Sequence, residues 1–219
     1  MKPAETDPGE HVSELLKSYG RTYAQEAGIR LADQPSALYQ LLVLSKLLSA
    51  RISAGVAVAA ARELFSAGYR TPAAMAEASW QDRVDALGRG HYRRYDERTA
   101  TMLGDGAGQV IRQYKGDLRG LREQAHGDPA AMAGLLEEFP GIGPAGASIF
   151  LREVQEAWPS VAPYVDQRMA EGARRAGLPD GRDDLARLLT ESGHPARLAA
   201  ALVRLSLTRN PSRGKTAES

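Results

Sequence analysis

Asp166 follows Tyr164-Val165 and opens a helix-like run, Gln167-Arg168-Met169. A solitary carboxylate at that place suits two tasks. It can cap a helix, which Asp favours. It can also stabilise positive charge on a reacting centre and orient or deprotonate a water. Upstream, Phe139-Pro140-Gly141-Ile142-Gly143 is a tight hairpin between two helical segments. Pro140 fixes φ and stops the preceding helix. Gly141 and Gly143 can adopt positive φ and let another backbone approach closely. The helix beginning near Pro144 then offers unpaired N–H groups and the positive end of its dipole. Such a terminus, with Ala145 in its first turn, binds a phosphate without a basic side chain. The plainer reading is a Gly-rich turn between core helices, with Asp166 as a cap. Hairpin and carboxylate together are a layout for chemistry on DNA.

Other residues admit a similar choice. The run Arg89-Gly90-His91-Tyr92-Arg93-Arg94-Tyr95 mixes cations with aromatics. Basic groups bind phosphates and aromatic faces stack on bases. His91, Tyr92, Arg93 and Arg94 are therefore candidate DNA contacts; the alternative is a solvated loop. His91 is no metal site, because His11, His126 and His194 show no ligand spacing with it. Lys46 interrupts Leu41-Leu42-Val43-Leu44 and Leu47-Leu48. A desolvated lysine becomes nucleophilic, whereas one on a helix flank snorkels to water. Tyr164 either lines a pocket beside Asp166 or simply packs. Trp158-Pro159 reads as core and loop.

The elements that must position these residues are helical. Leu38, Leu41, Leu42, Leu44 and Leu48 form one apolar stripe, with Ser36 as its cap. Val56, Ala60 and Leu64 form a second, and Leu198, Leu202 and Leu205 a third. No alternating β pattern of useful length occurs. Glycines and prolines divide the chain into about ten helices, so the fold class is all-α. Hydrophobic content of 43% with 25% charged residues is that of a globular protein. A formal net charge of +1 means that any DNA binding depends on local patches. The absence of cysteine excludes a disulfide scaffold and suits a reducing, cytoplasmic setting. No apolar run reaches the roughly 18 residues of a membrane span, and the first residues lack the apolar core of a signal peptide.

The pattern Leu-x-x-Phe-Pro-Gly-Ile-Gly-x-x-x-Ala, followed by an apolar helix and Val165-Asp166, resembles the helix-hairpin-helix DNA glycosylases of the endonuclease III superfamily. Leu47-Leu48-Ser49-Ala50-Arg51, Thr71-Pro72-Ala73-Ala74-Met75 and Leu87-Gly88 through Tyr95 extend the resemblance upstream, so that it spans about Pro35 to Gly177. It implies a two-lobed helix-hairpin-helix glycosylase fold. One lobe would cover 34–151, ending in the hairpin; the other would combine 10–33 with 152–210. Residues 1–9 and 211–219 read as disordered tails. The resemblance gives Asp166 the catalytic role, and Gly141, Ile142, Gly143 and Ala145 the binding of DNA. Arg51 falls where relatives place a Gln that enters the DNA at the lesion. It is then a wedge or phosphate contact, or else a surface Arg. Tyr164 and Lys46 would line the pocket of a flipped base.

Two departures refine this. Bifunctional relatives carry a lysine where this chain has Ala145, and Schiff-base chemistry needs an amine. Many relatives hold an iron–sulfur cluster on four cysteines, and this chain has none. The expected protein is a monofunctional glycosylase of base excision repair, without cofactor or metal. It would act as a nucleoid-associated monomer in the cytoplasm, on double-stranded DNA holding a lesion or mismatch. A non-catalytic protein that holds damaged or branched DNA is the alternative, and a helical interaction protein with no DNA role is a third.

Overall fold

The computed structural model describes residues 8–208. These form thirteen helices and no strand. They are α1 (Pro8–Tyr19), α2 (Tyr23–Glu26), α3 (Pro35–Leu48), α4 (Ala54–Ser66), α5 (Pro72–Glu77), α6 (Trp80–Arg89) and α7 (Asp96–Tyr114). Then follow α8 (Arg119–Gln124), α9 (Pro129–Glu137), α10 (Pro144–Val154), α11 (Gln167–Arg175), α12 (Arg182–Glu191) and α13 (Pro195–Leu207). The all-α expectation holds. The count exceeds ten because α2, with 4 residues, and α5 and α8, with 6 each, are too short to show a hydrophobic period. The expected tails fall outside the described residues except for Pro8 and Gly9, which open α1.

Local sequence explains many of the helix starts. Thr22, Ser53, Thr71, Ser79, Asp128 and Asp166 each accept a hydrogen bond from the first turn of the helix they precede. This satisfies N–H groups that have no intrahelical partner. Ser36 does not act in this way. Pro35 occupies the first turn, Gln34 is the N-cap, and the Ser36 hydroxyl donates to the Arg70 carbonyl.

Two apolar cores result. The larger surrounds α3, where Leu38, Leu41, Leu44 and Leu47 are wholly buried, and is closed by α4, α7, α9 and α10. A helix apolar on nearly all sides belongs at the centre of a domain. The smaller joins α1 to α11, α12 and α13 through Leu15, Met169, Leu185, Leu198 and Leu202. Tyr23, Ala24 and Ile29 pack in the larger core, as do Val154, Trp158 and Val161. The line between the two cores thus runs elsewhere than at residues 34 and 152.

The seam between the cores is tied by polar side chains. Glu153 is buried and its carboxylate accepts from the backbone N–H groups of Tyr23 and Ala24 at the start of α2. Arg204 on α13 meets Glu26 and lies over the Tyr23 ring. Trp158 donates to Asp33 2.9 Å away, which fits its expected place in the core.

The approach of α11 to α13 sets the position of the acid at the head of α11. A Cβ on Gly172 would lie 1.8 Å from the Leu202 carbonyl oxygen. Backbone cannot yield as a side chain does. Gly172→Ala should therefore destabilise the protein by about 3 kcal/mol in urea unfolding, the upper end of the usual cost of overpacking. An unchanged midpoint would show that the two helices are not in this contact.

Candidate active site

The hairpin is fixed from below and open above. Phe139 and Ile142 are buried, and the Ile142 N–H donates to the Phe139 carbonyl, closing the turn. Gly141 has φ +76°, and a Cβ there would come 2.2 Å from Lys46 Nζ and 2.7 Å from Met102 Sδ. The positive φ favours glycine at this position, and a side chain there would have to displace the tips of Lys46 and Met102. Gly143 differs from expectation. Its φ of −113° is open to any residue, and a Cβ would meet nothing within 4 Å. The start of α10 has no side-chain cap. Neither Gly143 nor Ala145 donates its N–H to a carbonyl outside α10 among the described residues. Ala145 and Pro144 are exposed.

Lys46 neither snorkels nor faces Asp166. Its ammonium lies beneath the hairpin, donating to the Pro140 carbonyl at 3.0 Å and resting 3.1 Å from Met102 Sδ. The α3 register aims it at the back of the turn. Burial, with the Arg98 guanidinium nearby, pushes its pKa down from 10.5 to about 8. The unfolded chain keeps that proton up to about 10.5, the folded chain only to about 8. Proton linkage then makes the contribution of Lys46 to stability rise across that window. Wild type should gain stability relative to Lys46→Met as the pH is raised from about 8 to about 10.5. A constant difference in denaturation free energy across the window would contradict the burial of the ammonium.

Asp166 is the N-cap of α11. Its Oδ1 accepts from the Met169 N–H at 3.0 Å, and its Oδ2 accepts from Arg152 Nη1. The Asp166 and Arg152 side chains are well covered, 13% and 11% exposed, yet both border an open cavity of about 530 Å³. Pro144, Ala145 and Ser148 of α10 form one wall. Ser49, Ala50 and Ile52, from the turn between α3 and α4, form another, and Tyr23 and Val203 cross from the seam. The start of α10 and the Asp166 carboxylate therefore face the same space. Tyr164 stands behind the wall, with its hydroxyl donating to Ser148 Oγ at 3.1 Å. Burial pushes the Tyr164 hydroxyl pKa up. Tyr164 thus supports the cavity through Ser148, and is not among the residues that line it.

No family model matches the chain. No curated protein does either. Among solved structures, the chain is similar to a trapped endonuclease III–DNA covalent intermediate, an estranged-adenine complex. The identity is 17% and the TM-score 0.46, over 90% of this chain and 85% of that one.

A second, smaller cavity of about 260 Å³ adjoins the first, with Ser49 and Ala50 in the rims of both. Arg51, Arg98, Lys46 and Gly141 border it, with no carboxylate among its lining residues. Arg51 and Arg98 are exposed and form no ion pair within the described residues. His91, Arg93 and Arg94 are exposed on the neighbouring loop but line neither cavity. Tyr92 differs from these exposed neighbours. It is 2% exposed, with its hydroxyl 3.3 Å from Thr99 Oγ1, because the start of α7 closes over it. Its ring packs in the larger core and is also among the residues that line the second cavity. Ile142 is likewise buried and its N–H is used within the turn, so only its flanking glycines face outward.

The sequence reading missed Arg152, Ser148, Arg98 and Tyr23. A signal existed for two of them: Ala145, Ser148 and Arg152 recur at spacings of three and four, which places them on one helix face. Arg98 and Tyr23 are brought in by tertiary packing.

Proposed function

We propose that the protein is a monofunctional DNA glycosylase that hydrolyses the N-glycosidic bond of a damaged or mismatched base in duplex DNA. The observation that carries this reading is the shared cavity: an uncapped helix start and a carboxylate face one space. The helix start supplies N–H groups for a phosphate. The carboxylate would stabilise the cation that develops at the sugar as the base departs. A carboxylate offers about four lone-pair sites. Met169 and Arg152 each take one, which leaves sites for water. The exposed cations Arg51 and Arg98 provide a local positive patch on a nearly neutral chain. Single-turnover base release from lesion-bearing duplexes tests the proposal.

The engagement of both Asp166 oxygens favours a second reading, a non-catalytic protein that grips DNA through the hairpin. Salt-sensitive binding without base release would establish it.

Strand cleavage by an amine is not part of the proposed reaction. Ala145 has none, and the Lys46 amine is held behind the hairpin, away from the Asp166 cavity. Borohydride should trap no protein on product DNA. Efficient trapping would mean another amine reaches the sugar and would refute the monofunctional assignment.

A further inference from the structure

The proposed hydrolysis leaves one task without a residue. The departing base takes the electron pair of the broken bond and needs stabilising as an anion. Arg152 lies on α10, on the face that carries Ala145 and Ser148, and all three border the cavity. Its Nη1 donates to Asp166. Its Nε and Nη2 donate to no protein atom within the described residues, and neither is sealed from solvent. A guanidinium has five N–H donors in a planar fork, so most remain available. With Asp166 serving the sugar carbon as proposed, a fork held beside it would meet the atoms flanking the glycosidic nitrogen of a bound nucleotide.

The charge of the cavity narrows the choice of base. Arg152 and Arg168 oppose a single lining carboxylate, Asp166, and Tyr23 is the one aromatic in the lining. A base made cationic by alkylation would meet a net positive wall with little aromatic surface for a cation to rest on. A neutral pyrimidine is a better fit than such a cation. Its O2 carbonyl lies beside the glycosidic nitrogen, accepts from a guanidinium, and carries much of the charge of the departing anion.

Building on the glycosylase reading, we infer that Arg152 is the leaving-group activator and that the substrate is a neutral pyrimidine, such as a deaminated one, in place of a cationic alkylated purine. The C1′–N1 bond breaks and its electron pair goes to the base, whose O2 accepts from Arg152. The sugar cation is stabilised by Asp166 and forms a C1′–O bond with water. The proton lost by that water passes by way of Asp166 to the base anion, which leaves neutral.

The full chain is assayed under single turnover on duplexes holding uracil opposite guanine, thymine opposite guanine, or 7-methylguanine, each corrected for spontaneous loss. Release of uracil or thymine at least about 10-fold faster than 7-methylguanine is expected, a margin of about 1.4 kcal/mol. Release of 7-methylguanine at an equal or greater rate overturns this inference and leaves the glycosylase reading standing. Release of none of them, with other single-lesion duplexes also intact, overturns both. Arg152→Lys keeps a cation beside Asp166 but loses the fork. In that variant uracil release should fall at least about 10-fold more than release of 5-fluorouracil, which leaves as a more stable anion. An equal fall for both bases would make Arg152 a structural partner of the acid and overturn its role. Should that variant fail to fold, the comparison of lesions in the wild-type protein still decides the base, and Arg152→Gln, which keeps a donor for Asp166 without the charged fork, decides the role of Arg152 by the same comparison of uracil with 5-fluorouracil.

Discussion

Asp166→Asn is expected to cut base release by about 10²-fold or more while DNA affinity is largely retained. Asparagine keeps an oxygen for the Met169 N–H, so the α11 cap survives. It loses the negative charge that borders the cavity and that pairs with Arg152. A hydrogen bond to a charged group contributes about 2 kcal/mol, so a modest loss in thermal stability should accompany the kinetic defect. Asp166→Ala removes both cap and charge and should be the less stable of the two. The ratio of the variants separates the chemical role from the structural one. Near wild-type excision by Asp166→Asn would remove this residue from the mechanism.

Gly143→Val is expected to weaken binding to all duplexes alike by about 10-fold or more, because phosphate contacts carry no sequence information and each charge-assisted bond contributes about 1.5–3 kcal/mol. The protein itself tolerates the side chain: φ is −113° and a Cβ has open space. A valine there would stand in the path of a phosphate approaching the start of α10. Gly141 supplies the contrast. Alanine at φ +76° would strain the backbone and strike Lys46 and Met102, so Gly141→Ala should lower stability first and binding as a consequence. A folded Gly143→Val protein with unchanged affinity would make the hairpin a structural turn only.

The parts of the site legible in the sequence are those governed by local chain chemistry. Pro140 and Gly141 specify a hairpin wherever they stand, and an Asp before a helix-forming run specifies a cap. Thr71-Pro72 marks a helix start for the same reason. Ser36 misled because Pro35 takes the first helical position and moves the cap to Gln34. The burial of Tyr92 was not legible, because a loop rich in Arg and Gly has the composition of a solvated one, while the burial depends on how α7 begins. Lys46 has a flank position by spacing alone, and only the return of the hairpin onto α3 covers it. Glu153 and Tyr23 stand 130 residues apart and meet only when the chain closes. The pairing of Arg152 with Asp166 depends on the angle at which α11 leaves the loop after Trp158, which no local pattern encodes.

If the space between Ala145 and Asp166 breaks N-glycosidic bonds, abasic sites must form there and depend on the acid. The most direct measurement incubates wild type and Asp166→Asn with a panel of single-lesion duplexes under single turnover, then treats each with alkali to cut at abasic sites. Wild type should give alkali-dependent strand breaks at the lesion, and Asp166→Asn at least about 10²-fold fewer at equal DNA occupancy. Salt-sensitive binding by both proteins with no breaks on any duplex would contradict a glycosylase and leave a protein that holds DNA without acting on it.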